Sequence, residues 1–454
     1  MGRAAALTVG ALLALGAASA CYRAGEPQLV VQVDTDVLTP ADARARETAT
    51  FDAAFDRLRV VTVWPSSGKR DNRDILLPSR GFLPATFGVP AGPDGDPEVE
   101  ITLTLYKQTD MGALSETAEV PPALAITRVV RVRVPDDDRS GVRVTLRGEC
   151  LGVAPDRARG LGCVDDPRRL APFDASVEVG RDDAPTAAGT WPRGDEVPCR
   201  AEKVKGRVCV EGGLTVVGER AAAAPPDPRR VAVDRPRAAS LEPFWLDVLE
   251  VTVSDLRQLF ARGLAAEKPP TADQRAGCNY RDALGPGDFD AARCVTFATA
   301  RAACRARGGD LPTAAQWEHA ARGRGNRYRY PWGFAEPRCC TAALARGRGC
   351  SDAVSLETGT HLGDGCDSAD VTRDGAADLG GSVREWVLDR PVPWDDPCYG
   401  VAPIADNLAC VDGVVGSARG GSFLRSLSDA TAVLRWRVDD DVDVGFRCAY
   451  GDAR

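Results

Sequence analysis

"RGGSFLRSLSDATAVLRWRVDDDVDVGFRC", residues 419–448, carries two adjacent glycines, a serine and a lone terminal cysteine. It shows no lasting period of two or of 3.6, so it reads neither as a regular strand nor as a helix. Between Ser422 and Cys448 there is no thiol at all, and "VDDDVDV" (438–444) reads as a solvated acidic loop. A stretch of this kind needs disulfides, buried aromatics or ions to hold it. Six of the eight tryptophans lie beyond Phe244, so the same character extends over the last 200 or so residues.

Upstream of this stretch the helices are few and short. "VTVSDLRQLFARG" (251–263) puts Val253, Leu256, Leu259 and Phe260 on one stripe, with Thr252 and Asp255 able to cap its start and Gly263 to close it. A second helix is expected in "ATARAACRARGG" (298–309). A third follows Pro312, where Thr313 and Gln316 form a capping box and Trp317, Ala320 and Ala321 face inward.

The first third of the chain has a different pattern. In "VEITLTLY" Val99, Ile101, Leu103 and Leu105 alternate with Glu100, Thr102 and Thr104. "VVRVRV" (129–134), "VRVTLR" (142–147), "QLVVQV" (28–33) and "LRVVTV" (58–63) are similar, and turn-rich pieces such as "PAGPDGDP" (90–97) separate them. One apolar and one polar face per run predicts antiparallel sheets in a small β-sandwich.

The chain of 454 residues with 44% apolar content predicts two or three globular domains. A formal charge of −8 with scattered basic residues argues against a nucleic-acid partner. The expected division is a signal peptide over 1–20, a lipidated N-terminal segment over 21–28, the β-sandwich-like domain over 29–149, and a cysteine-containing loop region over 150–219. The Pro/Ala-rich linker "RAAAAPPDPRRVAVDRPRAAS" (220–240) and a final domain over 241–454 follow.

The first residues point to the envelope. Arg3, the apolar run "AAALTVGALLALGAA" (4–18) and "ASAC" (18–21) form a signal peptide too short to span a bilayer. The cut before Cys21 resembles a bacterial lipobox, which implies a lipid anchor on Cys21; plain cleavage after Ala20 would leave Cys21 a thiol. Of 15 cysteines, setting Cys21 aside leaves four before the linker and ten after it, even numbers that fit two and five disulfides in an oxidising compartment.

Five motifs in order, "FWLDVLEVTVSDLRQLF" (244–260), "LPTAAQWEHAARG" (311–323), "YPWG" (330–333), "DLGGSVREWVLD" (378–389) and "RGGSF…GFRC" (419–448), resemble the sulfatase-modifying-factor family of formylglycine-generating enzymes over roughly 244–450. The resemblance implies an α+β fold with an irregular, C-type-lectin-like arrangement after the all-β part. The family's oxidases hold copper(I) by two thiolates, five residues apart, shortly after RGGS. Counting forward, those positions fall on Arg425 and Ala430, and neither can bind a soft metal, so no copper is expected.

A non-haem iron centre of two histidines and a carboxylate finds only His319 and His361 in the chain, and His319 reads as a packed structural residue. The family's structural calcium would fall on Asp378, the carbonyls of Gly381 and Val383, and Glu385; alternatively Glu385 pairs with a buried arginine. By the same resemblance Cys304 pairs with Cys448. Cys398 and Cys410 read as a disulfide rather than displaced metal ligands. The adjacent Cys339 and Cys340 are not expected to pair with each other; Cys350 and Cys366 are candidate partners, and the connectivity beyond Cys304–Cys448 stays open.

The resulting expectation is a cell-envelope lipoprotein, membrane-bound through its lipid, with a catalytically empty domain serving as a binding or structural module. The old substrate groove, bordered by Trp386, Ser422, Arg435 and Arg437, would take a peptide or a glycan. An active oxidoreductase of the same superfamily, using an unrecognised site, is the alternative.

Overall fold

The computed structural model describes residues 28–39, 55–77, 83–107, 120–135, 141–174, 178–179, 187–219, 227–233, 235–344, 350, 357–360, 368–411, 416–438 and 441–452. The signal-peptide stretch, Cys21, His361 and Cys366 lie outside the described residues.

The N-terminal strands are β1 (Gln28–Thr35), β2 (Arg57–Trp64), β3 (Lys69–Leu76), β4 (Ala85–Pro90), β5 (Glu98–Tyr106), β6 (Ile126–Arg133) and β7 (Gly141–Leu146). Three two-residue strands follow: β8 (Leu161–Gly162), β9 (Ala171–Pro172) and β10 (Glu178–Val179). Two four-stranded sheets form, in the orders β3-β2-β5-β6 and β10-β7-β1-β4. The first is antiparallel throughout, with Val60 opposite Leu103 and Ile101 opposite Val130. In the second, β1 runs antiparallel to β4 but parallel to β7.

Alternation decides which side of each sheet is dry. Val99, Ile101, Leu103 and Leu105 of β5 join Val31 and Val33 of β1 and Val144 and Leu146 of β7 in one buried cluster. Cys150–Cys163 closes a loop beneath it. Trp191 lies flat on Gly148, where a Cβ would sit 2.1 Å from the indole, so only glycine fits there.

Later strands are β11 (Arg207–Val210), β12 (Gly213–Val217), β13 (Arg237–Leu241) and β14 (Phe244–Asp247). Helices α1 (Val253–Ala261), α2 (Phe297–Ala306) and α3 (Ala314–Ala321) follow. The chain ends with β15 (Arg384–Val387), β16 (Ile404–Asp406), β17 (Ser417–Arg419), β18 (Arg435–Trp436), β19 (Val444–Gly445) and β20 (Ala449–Gly451). The sheets are β11-β14-β20, β12-β13-β16 and β18-β17-β15-β19. Thr252 and Asp255 form a reciprocal capping box on α1, and Thr313 and Gln316 form one on α3.

Two stretches expected as irregular contain paired strands among their described residues. Within 150–219, β11 pairs with β14 and β12 with β13, and β13 takes up the end of the 220–240 segment. Four- and five-residue strands are too short for their alternation to stand out in a sequence. They attach residues 207–217 to the C-terminal half rather than leaving them between domains.

Candidate functional site

β15 carries Glu385 into a fully enclosed position. Trp317 Nε1 donates to Glu385 Oε2 at 2.7 Å, and Arg447 donates to both carboxylate oxygens at 2.6–2.9 Å. The same guanidinium donates to the carbonyls of Asp247, Val248 and Ala377. Burial opposes the charge on Arg447, but the Glu385 carboxylate outweighs it and keeps the guanidinium more strongly protonated than usual. Glu250 lies 3.9 Å from Arg447, and neither of its buried carboxylate oxygens accepts a hydrogen bond. Burial, with the negative Asp378 beside it, pushes the Glu250 carboxyl well above the usual range.

This arrangement bears on the calcium set that the family resemblance implies. Asp378 (φ 63°) accepts the Gly359 N–H at 2.5 Å, and Gly381 is pressed against the Ala343 backbone, where a Cβ would sit 2.8 Å away. Glu385 has three N–H donors on its two oxygens, two of them from the Arg447 guanidinium. The four residues therefore do not fit calcium as a set, because Glu385, one of its two carboxylates, already serves a buried cation. The ion pair with an arginine, left open from the sequence, is what the structure contains.

The segment after RGGS is an ionic knot. Ser422 Oγ donates to Asp443 Oδ2 at 2.5 Å, Arg384 Nη2 donates to Asp443 Oδ1 at 2.5 Å, and Arg425 Nε reaches Asp443 Oδ2 at 3.3 Å. Arg384 also faces Asp441 at 2.8 Å. Burial works against the Asp443 charge, yet Arg384, Ser422 and Arg425 together hold its carboxyl below the ordinary value. The Arg425 guanidinium lies 4.7 Å from the Trp436 ring. Ala430 is fully buried beside Tyr330, Ala342 and Leu344. No soft donor stands at either position.

Thiols elsewhere are closed as well. The described disulfides are Cys150–Cys163, Cys199–Cys209, Cys278–Cys294, Cys304–Cys448, Cys339–Cys350 and Cys398–Cys410. Cys340 is disulfide-bonded too. Asp396 lies with the Cys398 and Cys410 sulfurs in a cluster compact enough for a metal, but those sulfurs are bonded to each other. Among the described residues no thiolate remains for copper(I).

The family model described as "Sulfatase-modifying factor enzyme 1-like domain" matches residues 194–451, more than half of the chain. The chain belongs to the sulfatase-modifying-factor family. The match begins well before residue 241 and takes in β11 and β12. None of the curated proteins matches. Similar solved structures include PvdO from Pseudomonas aeruginosa, at 20% identity over 56% of this chain and 98% of that one, with a TM-score of 0.40. Treponema denticola variable protein 1 is 15% identical over 53% and 95%, with a TM-score of 0.33. CarF is 18% identical over 54% and 97%, with a TM-score of 0.30.

In this sulfatase-modifying-factor chain the expected groove residues do not share a surface. Trp386 is buried and donates its indole N–H to the Val295 carbonyl at 2.8 Å. Ser422 is fully enclosed by the Asp443 knot. Arg435 is fully buried, donates to the carbonyls of Arg390 and Val392 and to the Tyr399 hydroxyl oxygen, and lies 4.4 Å from the Trp394 ring. Only Arg437 is exposed. Tryptophan, serine and arginine suggested recognition, but here they staple loops whose backbone carbonyls lack regular partners. His319 is buried with Nε2 on the Glu211 carbonyl, a packed structural histidine. Asp443 and Arg384 went unrecognised from the sequence, since an acidic run and a lone arginine give no sign of pairing across 59 residues.

Proposed function

We propose that the chain is a cell-envelope lipoprotein, anchored through Cys21, whose sulfatase-modifying-factor domain is non-catalytic. Its C-terminal half is C-type-lectin-like, its N-terminal half sandwich-like, and together they serve as a binding or structural module for a peptide or a glycan. One observation carries the loss of chemistry: Arg425 is tied to Asp443 and Ala430 is inside the core, at the two positions where family oxidases hold their thiolates. Six described disulfides and a further bonded cysteine, Cys340, fit an oxidising compartment and a domain held together by cross-links. With Trp386, Ser422 and Arg435 enclosed, recognition falls to exposed loop surface such as that around Arg437.

The test uses the full chain in two assays. Copper(I) is offered in competition with a chromogenic chelator, and oxygen uptake is followed with a cysteine-containing peptide as substrate. The chelator is expected to keep the metal, with oxygen uptake no faster than the protein-free control. Turnover that disappears on Cys398→Ser would establish an oxidase and remove this reading.

A further inference from the structure

A cleft of about 720 Å³ opens between the two halves of the molecule. Residues 120–123 and Gly152 form one wall from the N-terminal half; 235–237, 394–395 and 400–403 form the other. This volume lies in the range of small-molecule sites, which favour interfaces between domains. It shares no residue with the Ser422 knot and stands whether or not the reading above does.

The lining is apolar and stiff. Pro121, Pro122, Pro236 and Pro403 supply much of it, and proline rings lose little freedom when a ligand arrives. Val401 stands 94% exposed in the same lining, an apolar side chain left in water. Gly152 (φ 82°) allows the walls to meet, since a Cβ there would come 3.1 Å from Pro403.

Charge gives the cleft its selectivity. Two arginines line it. Arg235 is matched by Asp395 in an ion pair. Arg237 has no carboxylate within ion-pair distance among the described residues; it donates only to the carbonyls of Ala402 at 2.8 Å and Trp394 at 3.4 Å. Its partial burial lowers its pKa, a sign that no anion yet offsets the lost hydration. Arg237 thus stands as the uncompensated cation of an apolar cleft whose only acid among the described lining residues, Asp395, is already paired. Among the described lining residues there is no thiol, histidine or hydroxyl side chain.

We propose that this cleft binds an organic anion with an apolar body, its negative group at Arg237 and its hydrocarbon or aromatic part between the four prolines. Such a ligand would bridge both halves of the chain.

The fluorescent anion 1-anilinonaphthalene-8-sulfonate and its neutral counterpart N-phenyl-1-naphthylamine share one apolar body and differ in charge. Titrated into the full chain, the sulfonate is expected to bind once per chain, at least tenfold more tightly than the neutral probe, and to be displaced by decanoate. Arg237→Gln should weaken the sulfonate at least tenfold and the neutral probe little. Ala123 is exposed on the wall, so Ala123→Trp should fill the cleft and abolish binding without lowering the melting temperature. Sulfonate binding that survives Ala123→Trp, equal affinity for both probes, or no binding at all would each overturn the proposal, and Ala123→Trp decides it even if Arg237→Gln fails to fold.

Discussion

His319 is 2% exposed, with Nε2 2.9 Å from the Glu211 carbonyl and Nδ1 without a partner. A bond to a carbonyl places the proton on Nε2 and leaves Nδ1 a bare acceptor. Burial pushes the imidazole down to about 4 from its ordinary 6.5; the Glu211 carbonyl opposes this, and the positive Arg324 and Arg373 add to it. The folded state therefore binds fewer protons than the unfolded state between pH 4 and 6.5. The stability contributed by the neutral ring is full above pH 6.5 and is lost as the pH falls toward 4. Asp374, raised to about 6 by burial against the pull of Arg324 and Arg373, has the opposite slope, so wild type alone would blur the effect. Urea unfolding of wild type and His319→Gln at pH 7.5 and 4.5 separates them. Wild type should lose about 2–3 kcal/mol more than the variant on acidification. Equal losses would place the ring in contact with water.

At the scale of elements, the described residues of the C-terminal half form three α-helices of eight to ten residues and strands of two to five, so cross-links replace regular layers. Cys304–Cys448 joins α2 to the chain just before β20 across 144 residues, whereas Cys398–Cys410 spans 12. Closing the longer loop restricts the unfolded chain more, by about 5 kcal/mol against about 3 kcal/mol in the chain-entropy picture. Guanidinium unfolding of Cys304→Ala/Cys448→Ala and of Cys398→Ala/Cys410→Ala should show that order, the first pair shifting the midpoint further. The reverse order would mean that native-state packing, not loop entropy, sets the value of these bonds. Elements with a strong local signature were legible: the capping boxes at Thr252 and Thr313 appear in four letters each, and β5 reads out in its alternation. β11, β12 and β18 were not, because two to five residues carry no measurable period. The site was legible in the thiols it lacked, and in part in Glu385, whose pairing with an arginine was one of two readings. A missing thiol shows in a sequence, but whether Ser422 and Arg435 face water or each other's loops depends on contacts such as Ser422–Asp443, which no local pattern encodes.

For the whole molecule, the two halves are joined by more than a covalent tether. β13 pairs in parallel with β16, placing Ala238 beside Ile404, and both side chains pack into the N-terminal core with Val31, Ile101 and Leu103. Leu214 of β12 packs against the same cluster from the C-terminal sheet. Arg193 adds an ion pair to Asp406 at 3.3 Å, exposed enough to contribute little. The apolar contact should therefore couple the unfolding of the two halves, since separating them exposes Ile404, Ala238 and part of the N-terminal sheets to water. Ile404 is 8% exposed, and Ile404→Asp would place an unpaired carboxylate in that contact at a cost of several kcal/mol. By differential scanning calorimetry, wild type should show one cooperative transition. In Ile404→Asp the N-terminal sheets should melt separately and earlier, while a transition for the disulfide-bound C-terminal half persists near its original temperature. Two resolved transitions in wild type, or a single unshifted one in the variant, would mean that the halves melt without sensing this contact.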